Sequence, residues 1–277
     1  MIKETHIDFE ELKKIYSKMI MLEIMNWHIS SYVKFSEIQQ RYKSIYKSII
    51  TAASVGSKTI LDCWNQNKNA MFRSPSLNLI FEVENKDQDY RTSFNSLIKP
   101  YELCINCQPF RSDRSTDMLI QYIKSIDFQV LLSHEICHLL QTELYGLGYM
   151  KTHIEQEARG LYDKSVVELE ACLFMLLEDA QLRNKKLKTS DEVFEYAKSI
   201  DSEFLLHAAK MVLENKSNVI DILNHNKEFL SEATSFIESE KDDLVFDLNC
   251  VPYEGTPDTS FGYRVNISDI FPSSKTE

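Results

Sequence analysis

The amino-acid sequence predicts an α+β fold that is predominantly helical, with a small sheet and extra helices around it. Hydrophobic residues make up 43% of the 277 residues and aromatic residues 11%, which is enough for a packed core. Apolar residues recur at three-to-four spacing along most of the chain, as they do in amphipathic helices. A few short runs rich in Ile, Phe and Val lie between turn-forming residues and predict strands.

The elements follow from these periodicities in chain order. The predicted helices cover residues 9–64, 118–126, 128–144, 165–183 and parts of 191–239. The predicted strands cover residues 77–83, 101–107, 245–251 and 261–267. The polar stretch 84–95 reads as turns, and Gly146 with Gly148 ends the helix 128–144. We therefore divide the chain into an N-terminal helical region (1–75), a core (76–185) and C-terminal helices and short strands packed on it (186–277).

A metal-binding pattern stands inside the helix 128–144, where the chain reads His134-Glu135-Ile136-Cys137-His138. Residues four apart lie on the same face of an α-helix, so both imidazoles point at one place. Two such histidines suit a tetrahedral zinc ion, and the adjacent Glu135 is the general base of H-E-x-x-H enzymes. Burial of these polar groups on a very apolar helix is costly unless a metal or other partners compensate. The sequence therefore predicts a Zn²⁺ site with His134 and His138 as ligands.

A catalytic zinc site needs a third protein ligand. The extended pattern with a third histidine on the same segment fails, because Gln141 and Leu144 occupy the positions of its glycine and histidine. Glu168, at the start of the next apolar helix, is the predicted third ligand. Ser165-x-x-Glu168 also spells a capping box, unless Asp163 is the cap instead. The rival ligands are Glu170, His153, Glu155 and Glu157.

These residues resemble the gluzincin metallopeptidases. The string Glu168-Leu-Glu-Ala-Cys-Leu-Phe174 is similar to the E-x-E-A-[DN]-x-F pattern of ImmA/IrrE-like peptidases, with Cys172 in place of Asp or Asn. Phage-exclusion peptidases of the Lit type also carry H-E-x-x-H in chains of comparable length. The resemblance spans residues 130–177, about a sixth of the chain. It implies a zincin-like core in which His134, His138 and Glu168 bind zinc and Glu135 is the general base on zinc-bound water.

The implied reaction is hydrolysis of peptide bonds in a narrow protein substrate. An exposed strand commonly lies beside the metal helix of zinc peptidases and pairs with an extended peptide substrate. Residues 101–107 are the candidate for that strand, and an ordinary buried strand is the alternative for the same residues. The candidates for an oxyanion donor are Tyr149, His153, Arg159, Tyr162 and His207. Cys104 and Cys107 form a C-x-x-C, but their place on a predicted strand favours a structural role.

The amino-acid composition limits the kinds of partner that we expect for this chain. The net charge of −11 disfavours nucleic acid, since phosphate binding needs an excess of Lys and Arg. No stretch approaches the ~18 uninterrupted apolar residues of a membrane span. The six cysteines lack the spacing of a disulfide framework and no secretory signal is visible, so we expect a cytoplasmic protein, with export by a signal-free route left open. The sequence does not indicate an oligomeric state.

Two other interpretations stay open. The chain could be a zinc-binding regulatory protein whose peptidase site is vestigial, or a helical interaction protein in which the histidine pattern arose by chance. Bound zinc would distinguish the helical interaction protein from the other two interpretations. Peptide hydrolysis would distinguish the peptidase from the zinc-binding regulatory protein.

Overall fold

The computed structural model describes residues 32–82, 92–95, 101–106, 116–146, 165–231 and 247–253. The helices are α1 Phe35–Val55, α2 Ser57–Asn65, α3 Thr116–Ile123, α4 Ile126–Tyr145, α5 Val166–Leu182, α6 Ser190–Lys198, α7 Glu203–Glu214, α8 Lys216–His225 and α9 Lys227–Ser231. The strands are β1 Asn69–Arg73, β2 Leu77–Glu82, β3 Thr92–Asn95, β4 Tyr101–Asn106 and β5 Asp247–Tyr253. The predicted mostly helical α+β fold is confirmed. The predictions for residues 1–31 and 261–267 lie outside the described residues.

The strands form one mixed sheet in the order β3-β4-β2-β1-β5. Strands β2 and β4 are parallel, with Leu77 opposite Tyr101, and every other pair is antiparallel. The prediction of an exposed edge at residues 101–107 is wrong, because β4 is bonded to β2 on one side and to β3 on the other. Strand β3 is the edge strand on this side of the sheet, and it lies in a stretch that the sequence assigned to turns.

The long predicted N-terminal helix is interrupted at Gly56, between α1 and α2. A Cβ atom on Gly56 would lie 2.4 Å from Cζ of Phe72, so any larger residue would collide with strand β1. The helix therefore breaks at a residue that lies close against the Phe72 side chain of β1. Helix α2 turns back from this point and packs on β1.

Helices α4 and α5 are the centre of the molecule. They pack against each other, α1 and β3 also contact α4, and α7 contacts α5. Almost every residue of α5 from Val167 to Ala180 is buried. Most of these residues are apolar, as expected for a helix at such a central position, and the buried acidic ones are Glu168, Glu170, Glu178 and Asp179. One hydrophobic core includes residues from all three regions that the sequence delimits, from Val33 to Leu223.

The start of α1 is fixed by a buried amide from the other end of the helical region. Asn226 accepts a hydrogen bond from the Phe35 backbone N–H at 2.7 Å and donates to the Val33 carbonyl at 3.1 Å. Such bonds satisfy backbone groups that the first turn of a helix leaves without partners. Val33 is thereby held at a defined place beside α5, which matters for the site below.

Among the described residues, no helix combines the length and the apolar run that crossing a bilayer requires.

Candidate metal centre

Helix α4, which carries the two histidines, begins and ends at well-defined residues. The Ser125 side chain caps the helix by accepting a bond from the Phe128 N–H at 3.2 Å. Gly146 ends the helix with a φ of 51°, a left-handed conformation that glycine adopts at little cost. His134 and His138 lie one turn apart inside this helix, and their Nε2 atoms are 3.0 Å from each other. The predicted convergence of the two imidazoles is present in the structure.

Helix α5 brings a carboxylate to the same place. Oε1 of Glu168 lies 3.3 Å from Nε2 of His134, and Oε2 lies 3.3 Å from Nε2 of His138. Ser165 caps α5 through the Glu168 backbone N–H, at 3.4 Å. Cap and side chain therefore use different atoms of Glu168, and the carboxylate faces the histidines. Whether Asp163 takes part lies outside the described residues.

The rival carboxylate Glu170 points elsewhere. Its Oε1 accepts a bond from the Val33 N–H at 2.9 Å. Its Oε2 accepts from the Tyr145 hydroxyl at 2.8 Å and from Nε2 of Gln141 at 3.0 Å. Glu170 is fully buried, and desolvation raises its pKa to about 7 against the lowering effect of these donors. The carboxylate of Glu170 is thus engaged by Val33, Tyr145 and Gln141, away from the point where the histidines and Glu168 meet. The other rivals, His153, Glu155 and Glu157, lie outside the described residues.

Cys172 extends the cluster by one turn of α5. Its Sγ lies 3.6 Å from Oε1 of Glu168 and 3.7 Å from Sδ of Met211. Ligand atoms of His134, Glu168 and Cys172 all lie within 4.8 Å of one another. This group of histidine, carboxylate and thiol is compatible with a metal site. In the sequence Cys172 is distinguished only as a departure from a family pattern, although its spacing of four from Glu168 predicts a shared helix face.

The pKa values of the two histidines show where the site favours a positive charge. Burial lowers the pKa of His134 to about 4, against the attraction of Glu168. Burial also lowers the pKa of His138, but the hydrogen bond and charge of Glu168 outweigh it and raise the value to about 9. Glu168 therefore favours a proton on His138, whereas burial disfavours one on His134. A cation is favoured at the point where the three side chains meet.

Glu135 lies on the neighbouring strip of α4 and is half-buried. Desolvation raises the pKa of its carboxyl group to about 7, although the nearby His138 lowers it. A group with a pKa near neutrality can both accept and return a proton, as a general acid–base catalyst must. The sequence placed Glu135 here, and burial supplies the pKa that periodicity alone could not predict.

Of the predicted oxyanion donors, only His207 is among the described residues. It lies on α7, exposed, and its charge lowers the pKa of His134. Tyr149, His153, Arg159 and Tyr162 lie outside the described residues. Cys104 is buried on β4, as the structural interpretation of the C-x-x-C expects, whereas Cys107 is not among the described residues.

Comparison with protein-family models, with curated proteins and with solved structures finds no match for this chain.

Proposed function

We propose that the chain is a zinc-dependent metallopeptidase that hydrolyses peptide bonds of a protein or peptide substrate. The observation that supports this most strongly is the convergence of His134, His138 and Glu168 from two packed helices. Two imidazoles and one carboxylate are the protein ligands of many catalytic zinc sites, which keep a fourth position open. The resemblance of the sequence to the gluzincins implies the same three residues as ligands.

The distances fit zinc. Bonds of 2.0–2.2 Å to nitrogen and oxygen in a tetrahedral site separate neighbouring ligand atoms by about 3.3 Å. In the structure the Nε2 atoms of the two histidines lie 3.0 Å apart, and each lies 3.3 Å from a different carboxylate oxygen of Glu168. These separations support a metal ion held between the three side chains, which two packed helices carry. We propose His134, His138 and Glu168 as the ligands.

Cys172 supports Glu168 in this scheme. Its Sγ is in contact with a carboxylate oxygen and a thioether, both of which suit a protonated thiol as donor. We therefore propose that Cys172 orients Glu168, in the position where the family pattern has Asp or Asn.

Glu135 is the proposed general base. Zinc, when bound, supplies the Lewis acidity that makes a water molecule a better acid. The Glu135 carboxylate, with a pKa raised to about 7, takes the proton from water and delivers it to the leaving nitrogen of the peptide. His207, exposed on α7, is the one candidate among the described residues for an additional donor to the substrate oxygen.

The sheet offers a place for an extended substrate. Strand β3 is bonded to β4 on one side, and among the described residues no strand pairs with its other side. Helix α4 packs beside β3. A peptide that adds to this edge by backbone hydrogen bonds would pass close to the helix that carries Glu135. We propose β3, in place of the strand expected from the sequence, as the substrate edge.

The experiment that tests the function is digestion of a proteome-derived peptide library by tag-free protein. We expect cleavage at a restricted set of sites that a zinc chelator abolishes and that one equivalent of Zn²⁺ restores. The matched control is the same library with chelated protein and no added zinc. Zinc bound without any cleavage would favour the regulatory protein with a vestigial site. Neither zinc nor cleavage would favour the helical interaction protein.

A further inference from the structure

We propose that Gln141 is a positioning residue of the metal centre, which keeps a proton on Nδ1 of His138 and ties helix α4 to the start of helix α5. The proposal rests on the proposed function in one respect, that Nε2 of His138 is a metal ligand. Gln141 is fully buried and lies one helical turn after His138. In the sequence Gln141 is distinguished only because it occupies the glycine position of the extended pattern with a third histidine.

The direction of the hydrogen bonds follows from one partner that can only accept. Nε2 of Gln141 lies 2.7 Å from the backbone carbonyl oxygen of Val167, so this end of the amide must be the NH₂ group. The other end, Oε1, can only accept, and it lies 2.8 Å from Nδ1 of His138. Nδ1 must therefore carry the proton. The orientation of an amide and the tautomer of a histidine, which are ordinarily ambiguous, are both fixed by the Val167 carbonyl.

The consequence appears at the other ring nitrogen. With Nδ1 donating to Gln141, the ring nitrogen that becomes available to a metal is Nε2, the atom that faces His134 and Glu168. A bond from the distal N–H of a ligand histidine to an acceptor fixes the ring orientation and raises its basicity. His134 differs, because its Nδ1 has no hydrogen-bond partner in the part of the chain that the structure describes. Of the two histidines, His138 is therefore the one whose ring orientation is fixed by a hydrogen bond before a metal binds.

The same amide joins the two helices next to their ligands. Val167, whose carbonyl accepts from Gln141, directly precedes Glu168 on α5. The amide also donates to Glu170, which is held in turn by Tyr145 and by the Val33 backbone. We call this set of bonds, from Gln141 to His138, Val167 and Glu170, the Gln141 bridge. It sets the distance between His138 and Glu168 by fixing the backbone one residue away from the carboxylate.

The test combines nuclear magnetic resonance of ¹⁵N-histidine-labelled protein with zinc affinity from chelator competition. In the wild-type protein we expect a slowly exchanging Nδ1–H resonance of His138, with or without zinc. In Gln141→Met, which keeps the length but removes donor and acceptor, we expect this resonance to be lost and zinc affinity to fall about 10–100-fold. Gln129→Met, the same change on the same helix away from the centre, should alter neither.

A conservative variant separates positioning from general packing. Gln141→Glu keeps an acceptor for Nδ1–H, so we expect the resonance to persist and zinc affinity to lie closer to wild type than that of Gln141→Met. An unprotonated Nδ1 in the wild type, or loss of the resonance in folded Gln141→Glu, would overturn the proposal. Unchanged resonance and affinity in Gln141→Met would do the same. The resonance is measured without zinc, so it decides the Gln141 bridge even if the protein binds no metal and cleaves nothing.

Discussion

Glu135→Gln is expected to abolish measurable peptide hydrolysis while zinc remains bound. The amide has nearly the same shape as the carboxyl group but cannot accept a proton from water. General acid–base catalysis by a positioned side chain contributes about 10²–10⁴-fold, so kcat should fall by that factor. Zinc content should stay at the wild-type level, because the proposed ligands are His134, His138 and Glu168. Steady-state kinetics on the best library peptide, with metal analysis of the same sample, measures both.

Glu143→Gln is the matched control, since Glu143 lies on the same helix and forms only a partly exposed ion pair with Arg41 at 3.7 Å. Such pairs contribute little, so we expect kcat within about twofold of wild type. Hydrolysis by Glu135→Gln at the wild-type rate would contradict the role of Glu135 as general base. Loss of zinc in this variant would mean that Glu135 belongs to the coordination sphere.

Glu168→Gln is expected to weaken zinc binding by at least about a hundredfold. Structural zinc sites bind with about 10–16 kcal/mol, or about 3 kcal/mol for each of four ligands, and a neutral amide is a far poorer ligand than a carboxylate. The fold should persist, because Ser165 caps α5 through the backbone of residue 168 and not through its carboxylate. Chelator competition measures the affinity, and far-ultraviolet circular dichroism checks the helices.

The matched control is Glu178→Gln, a change of the same kind at another buried position of α5. Both carboxyl groups are buried, and burial raises the pKa of Glu178, but of the two only Glu168 faces the histidines. We expect Glu178→Gln to bind zinc as wild type does. Equal affinity in both variants would show that Glu168 is not a ligand.

The parts of the site that could be predicted from sequence are those governed by local geometry. Residues four apart share a helix face, which is sufficient to bring His134 and His138 together. Glu168 could be proposed because it opens an apolar helix soon after them. The bonds of Gln141 and Glu170 depend on how α4, α5 and the chain before α1 pack. Val33 and Glu170 are 137 positions apart, and no periodicity connects them.

The sheet shows the same division. Strands β2 and β4 are rich in Ile, Leu and Phe, and their own side chains predict them. Strand β3 has the sequence Thr-Ser-Phe-Asn and forms through its pairing with β4, from Thr92 opposite Ile105 to Asn95 opposite Glu102. Tertiary context therefore decided both its existence and the identity of the sheet edge. Likewise, the raised pKa of Glu135 results from burial, which the sequence does not specify.

The most direct test of the proposed centre is a crystal structure of zinc-loaded protein with anomalous diffraction recorded at the zinc edge. We expect one anomalous peak per chain, about 2.0–2.2 Å from Nε2 of His134, from Nε2 of His138 and from a carboxylate oxygen of Glu168. A structure without such a peak, or with zinc held elsewhere and these three side chains unbound, would contradict the assignment.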